Sequence, residues 1–112
     1  MEGLGSLIVE TADRYGVSWR LIVGIAQAES SLGRNYVHPY DVNCKNAWGI
    51  KPPGGRRADG SYLRCYYEWE NGVESSAALL HRRYKDQTPE EMCGIYVQPC
   101  NPHWLRTINS FL

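Results

Sequence analysis

The sequence predicts a mainly helical α+β domain, in which several short amphipathic helices pack beside one small β-containing lobe. Three observations carry that expectation. The chain has 112 residues, enough for one hydrophobic core and not for two. Apolar residues recur at helical spacing over 4–15, 19–32, 71–84 and 102–112. Between these stretches, residues 34–61 are rich in Gly, Pro, Asn and Asp and read as irregular chain. A layout of this kind leaves a cleft between lobe and helices.

Each element has its own local signal. Leu4, Leu7, Ile8, Thr11, Ala12 and Tyr15 share one helical face, and Gly16 is a natural stop. Ser18 is placed to cap a second helix with the apolar stripe Trp19, Ile22, Ile25 and Ala26, and Gly33 is expected to end it. Asp59-Gly60 is a hairpin-turn signal, with Ser61–Trp69 the strand-like side. Helix is expected again from Asn71, where Asn71 and Glu74 have capping-box spacing ahead of Val73, Ala77, Leu80 and Tyr84. Thr88-Pro89-Glu90-Glu91 combines a Thr cap, a first-turn Pro and a Glu three residues after the cap. Asn101-Pro102 opens a last helix with Trp104, Leu105, Ile108, Phe111 and Leu112 inward. Periodicity assigns Trp19, Trp69 and Trp104 to the core.

Composition excludes several classes of function. Twelve basic residues balance twelve acidic ones, so there is no basic surplus to displace counterions from nucleic acid. No apolar run approaches the roughly 18 residues a membrane span needs. The first residues, Met1-Glu2-Gly3, have no basic region and no apolar export segment. Four cysteines, at 44, 65, 93 and 100, favour two disulfides in one of three pairings. Cys93 and Cys100 flank a short loop, and pairing them leaves Cys44 with Cys65. Disulfides place the chain in an oxidising compartment, as a domain of a longer exported chain or one released by another route. The competing use of these thiols is zinc, through Cys93, Cys100, His103 and His81, which no CxxC spacing supports.

Glu29 stands out on position alone. It lies seven residues after Ile22 and four after Ile25, so it continues their stripe near a helix C-terminus. Desolvation and the negative end of the helix dipole both oppose ionisation there. A carboxylic acid kept protonated in this way is suited to general-acid work.

The neighbourhood of Glu29 carries a resemblance. Ala26-Gln27-Ala28-Glu29-Ser30-Ser31-Leu32-Gly33 followed by Asn46-Ala47-Trp48-Gly49-Ile50-Lys51 resembles the catalytic region of the lysozyme-like superfamily. The nearest likeness is to the endo-β-N-acetylglucosaminidase-like peptidoglycan hydrolases (the mannosyl-glycoprotein endo-β-N-acetylglucosaminidase domain), and the next is to the soluble lytic transglycosylases. Tyr66-Tyr67-Glu68-Trp69-Glu70-Asn71-Gly72-Val73 is similar to that family's hairpin-to-helix junction, and the likeness extends through Thr88–Glu91 and Tyr96–Trp104.

The resemblance implies a lysozyme-like fold with a small hairpin lobe, and cleavage of the β-1,4 glycan strand of peptidoglycan in a single domain spanning 1–112. It gives Glu29 the role of proton donor to the glycosidic oxygen. Ser30 becomes a supporting hydrogen-bonding hydroxyl, and Tyr96 a phenol that orients water or steadies an oxocarbenium-like transition state. Trp48, Gly49 and Ile50 become a cleft-lining segment, with Gly49 permitting close backbone approach and Trp48 offered as a stacking face. It implies no cofactor and no metal. It also implies action outside the cytoplasm (secreted, periplasmic or at the wall) by a bacterial or phage protein that is a monomer or part of a larger chain.

The family pattern is incomplete in one respect. Glycoside hydrolysis ordinarily uses two carboxyl groups. The lobe offers Asp59, which sits in a turn dipeptide, and Asp41, in irregular chain. Three readings follow. Glu29 acts with a lobe Asp that activates water, or acts almost alone and yields a 1,6-anhydro sugar as lytic transglycosylases do. In the third, the domain binds wall glycan without cutting it.

Overall fold

A computed structural model describes residues 3–32, 45–50, 66 and 68–112. Five helices organise them: α1 (Gly5–Tyr15), α2 (Trp19–Ser30), α3 (Trp69–Arg83), α4 (Pro89–Met92) and α5 (Pro102–Asn109). They take up 61% of the described residues, so the mainly helical expectation holds. The Cα radius of gyration is 13.1 Å, close to the roughly 13 Å of a compact 100-residue domain. The expected hairpin turn at Asp59-Gly60 lies outside the described residues.

Helix α1 buries Ile8, Thr11 and Ala12 and ends on Gly16, whose φ of 68° is the left-handed conformation a C-terminal cap needs. Helix α2 buries Ile22, Gly24, Ile25, Ala26 and Ser30. Trp19 departs from its expected place. It is 38% exposed, with the Arg20 guanidinium 4.7 Å from its ring centroid, and the buried residues of α2 begin only at Ile22. The stop also differs from expectation. Ser31 takes the left-handed cap (φ 52°), and Leu32 follows at φ 61°, so the turn is complete before Gly33 is reached.

Helix α3 begins at Trp69, two residues ahead of the expected Asn71, and Glu68 at its N-cap makes no side-chain cap bond. The Asn71/Glu74 box does not form because both residues lie inside the helix. Glu74 turns instead to α1, accepting from the Tyr15 hydroxyl at 2.8 Å and from Arg14 at 3.4 Å. Helix α4 has the expected capping box: the Thr88 hydroxyl accepts from the Glu91 amide, and the Glu91 carboxylate accepts from the Thr88 amide. Asn101 caps α5 by accepting from the amides of His103 and Trp104. Helix α5 buries Trp104 and Ile108, while Leu112 is exposed.

Helices α2 and α5 approach closely where Gly24 meets Ile108. A Cβ on Gly24 would stand 3.4 Å from the Ile108 Cα, in direct contact with the α5 backbone. The core beneath them joins Ile8, Ala12, Ile22, Ile25 and Ala26 to Val73, Ala77, Leu80, Met92, Trp104 and Ile108. Residues Lys45–Ile50 cross this core as an irregular segment, and Ala47, Trp48 and Ile50 are buried in it. That segment and α5 both reach the C-terminal end of α2.

Candidate active site

The site is built where α2 stops. Glu29 occupies the penultimate position of α2 and is half-buried. The indole Nε1–H of Trp104 donates to its Oε1 at 3.2 Å. Trp104 is itself 3% exposed and stands on α5, so a buried donor on a neighbouring helix orients the carboxyl. Glu29 is therefore packed against aromatic surface and not extended into bulk water.

Ser30, the next residue, is 2% exposed. Its hydroxyl proton is shared between the Ala26 carbonyl at 3.0 Å and the Ala47 carbonyl at 2.8 Å. The first bond stays within α2; the second ties the helix end to the Lys45–Ile50 segment. Ser30 thus ties the end of α2 to the Lys45–Ile50 segment beside Glu29.

The Lys45–Ile50 segment is cross-braced at every turn. Asn46, 2% exposed, donates from Nδ2 to the Ile50 carbonyl at 2.9 Å and accepts the Ile50 amide on Oδ1 at 3.0 Å. This pair of hydrogen bonds between an amide side chain and a backbone closes a tight loop, which Gly49 completes at φ 66°. Gly49 is needed for that left-handed turn, a more immediate reason for glycine than close approach of a ligand. Trp48 is fully buried, and its Nε1–H donates to the Ile22 carbonyl at 3.0 Å. Its ring lies edge-on to Trp69, with centroids 6.3 Å apart. In this position the indole is core, not a face for a sugar, and what the segment turns toward the site is backbone.

Tyr96 joins the site from the loop between α4 and α5. Its hydroxyl donates to the Trp48 carbonyl at 2.7 Å. Its ring stacks on Trp104 (centroids 5.9 Å, interplanar angle 29°) and leans on Tyr84 at 5.6 Å. Desolvation pushes the phenol well above its ordinary range, and the nearby Glu29 charge pushes it further, followed by Tyr84 and Tyr66. Tyr96 is thus a neutral phenol whose proton is committed to Trp48, with its oxygen left to accept. It cannot serve as a proton-accepting phenolate at neutral pH.

The loop that carries Tyr96 is stapled at its ends by the Cys93–Cys100 disulfide, of sequence separation 7. The Gly94 amide bonds the Val97 carbonyl at 3.0 Å inside it. This pairing removes two of the thiols the zinc alternative needed, and no cluster of three His, Cys, Asp or Glu side chains is found among the described residues. Cys44, Cys65, Asp41 and Asp59 lie outside the described residues. Among the described residues, the Lys45 amide donates to the Tyr66 carbonyl at 2.6 Å.

Of the residues expected at the site, Glu29, Ser30, Trp48, Gly49, Ile50 and Tyr96 come together at the end of α2. Three further participants were not anticipated from sequence: Trp104 as the donor to Glu29, Asn46 as the brace of the Gly49 turn, and Tyr84 behind Tyr96. Trp104 is 75 residues from Glu29, and its helical periodicity signals only burial. Asn46 stands in the Asn-x-x-Gly-Ile-Lys stretch and could have been found there. No helix among the described residues is long and apolar enough to cross a membrane. Comparison with protein-family models, with curated proteins and with solved structures finds no match.

Proposed function

We propose that the domain cleaves the β-1,4 glycan backbone of peptidoglycan, with Glu29 as the general acid. The observation that carries this reading is the setting of Glu29: a half-buried carboxyl at a helix end, oriented by the Trp104 indole and surrounded by Ser30, the Trp48 backbone and Tyr96. The ordered run of motifs from Ala26 to Trp104 that resembles the lysozyme-like hydrolases supplies the substrate class.

In this mechanism Glu29 protonates the glycosidic oxygen as the C1–O bond breaks, and the departing sugar leaves as an alcohol. Trp104 Nε1–H, already donating to Oε1, strengthens its bond as negative charge develops on the carboxyl, which is differential stabilisation of the transition state. The stack of Tyr84, Tyr96 and Trp104 keeps that side of the carboxyl dry and fixed. Two fates are open to the positively charged glycosyl centre. Water, deprotonated by the Glu29 carboxylate or by a lobe Asp such as Asp59, gives a reducing end. Attack by the sugar's own 6-hydroxyl, with its proton passing to Glu29, gives a 1,6-anhydro end. We favour hydrolysis on the closer motif likeness. Mass spectrometry of the muropeptides released from purified walls separates the outcomes by one water, and walls recovered with no released glycan contradict both.

The Cys93–Cys100 staple supports an oxidising location, and we place the domain outside the cytoplasm or in a phage lysis system. Its partner is the glycan strand.

A further inference from the structure

Tyr66 carries a feature that the roles assigned above leave unexplained. Its side chain is about nine-tenths buried, and its hydroxyl oxygen is out of solvent with no hydrogen-bond partner. A buried hydroxyl without a partner is costly, and phenylalanine would fill the same space without that cost. The placement of Tyr66 ties it to the site. Its carbonyl accepts the Lys45 amide at 2.6 Å, at the start of the segment whose Trp48 carbonyl receives the Tyr96 hydroxyl. It belongs to the same core cluster as Trp48, Tyr84 and Trp104. The Tyr66 phenol also acts electrostatically on Tyr96, after Glu29 and Tyr84.

The other polar groups around Glu29 already have protein partners. The Ser30 hydroxyl is bonded to two carbonyls, Asn46 to the Ile50 backbone and the Tyr96 hydroxyl to Trp48. The Tyr66 hydroxyl, by contrast, is buried with no partner as donor or acceptor.

We propose that Tyr66 is a ligand-side hydrogen-bonding residue of the Glu29 site, its hydroxyl unpaired in the free protein and paired with a sugar oxygen when the glycan seats. Because the hydroxyl is closed off in the free protein, seating requires the wall around it to shift, and binding is coupled to a local opening. This assignment rests on the glycan-cleavage reading and names one contact within it.

The test uses chitotetraose binding to the full chain in a Glu29→Gln background, with and without Tyr66→Phe. The expected result is about tenfold weaker binding on loss of the hydroxyl, equivalent to about 1.4 kcal/mol. The melting temperature should be unchanged or higher, since an unpaired buried hydroxyl has been removed. In protein labelled with ¹³C at tyrosine Cζ, the Tyr66 resonance should shift on adding the sugar. Equal affinity with an unmoved resonance overturns the proposal. A melting temperature lowered by several degrees with affinity unchanged also overturns it, by showing that the hydroxyl bonds an internal water that holds the fold. If the wild type clears walls and Tyr66→Phe clears them equally well, only the Tyr66 assignment fails. If the wild type neither clears walls nor binds the sugar, the glycan reading fails and takes this contact with it.

Discussion

Trp104 hydrogen-bonds Glu29, and Tyr96 stacks on Trp104. The Trp104 donor reaches Glu29 from another helix, so Trp104→Phe keeps most of the aromatic bulk and removes the one N–H. Wall turnover should fall at least tenfold with a smaller change in binding, because the bond strengthens as the carboxyl loses its proton; equal losses in both would show a purely structural role. Tyr96 makes a pH prediction. Its folded pKa lies above the ordinary value of 10 for reasons of burial first and the Glu29 charge second. Below about pH 10 the folded and unfolded phenols are both protonated and its contribution to stability is intact. Above that, the unfolded chain releases the proton first, so stability is lost as the pH rises toward the folded pKa. Urea midpoints measured from pH 8 to 11 should decline at the alkaline end, and Tyr96→Phe should flatten that decline while lowering the midpoint throughout by the loss of its bond to Trp48. At this scale the sequence was legible for Glu29, because a helical stripe states which side a residue faces. It was silent on Trp104 and Tyr66, because periodicity marks burial and not the partner met across the core. Trp48 shows the same ambiguity: an indole that could stack on sugar or fill the core does the latter here.

Glycines set the contacts between elements. Gly72 in α3 lies against the Lys45–Ile50 segment, where an added Cβ would sit 2.9 Å from the Trp48 ring and 3.0 Å from the Lys45 carbonyl. Gly72→Ala should destabilise the fold by about 1–3 kcal/mol through overpacking, and should lower activity further by displacing the segment that braces the site. A melting temperature equal to wild type would contradict this packing. Helix starts with side-chain chemistry, such as Thr88-Pro89 and Asn101-Pro102, were legible because the cap bond is local. The start of α3 was not. Asn71 and Glu74 have capping-box spacing, yet the helix gains more by beginning at Trp69, whose indole packs edge-on against Trp48. The end of α2 was misplaced because the cap needs no glycine here: Ser31 takes the left-handed conformation, and the Ser31 and Leu32 amides donate to the Gln27 and Ala26 carbonyls.

For the whole molecule, three features sustain a rigid site in a small domain: the α2–α5 contact at Gly24, the Tyr15–Glu74 link from α1 to α3, and the staple from Cys93 to Cys100. A seven-residue closure contributes about 2 kcal/mol in the chain-entropy account. Reductant should therefore lower the melting temperature by several degrees, and activity should fall with it, because the loop it closes holds Tyr96 against Trp48; a melting temperature indifferent to reductant would contradict that role. The helical class was legible from periodicity across the chain. The β-containing lobe rests on turn chemistry alone, and its turn lies outside the described residues.

In the proposed mechanism one proton, held at position 29, cuts the wall. Clearing of a turbid suspension of purified cell walls by wild type and by Glu29→Gln, both shown folded by circular dichroism, tests it most directly. The wild type should clear the suspension, and the variant should lose about 10²-fold or more of that activity. Equal clearing by the two proteins would contradict it.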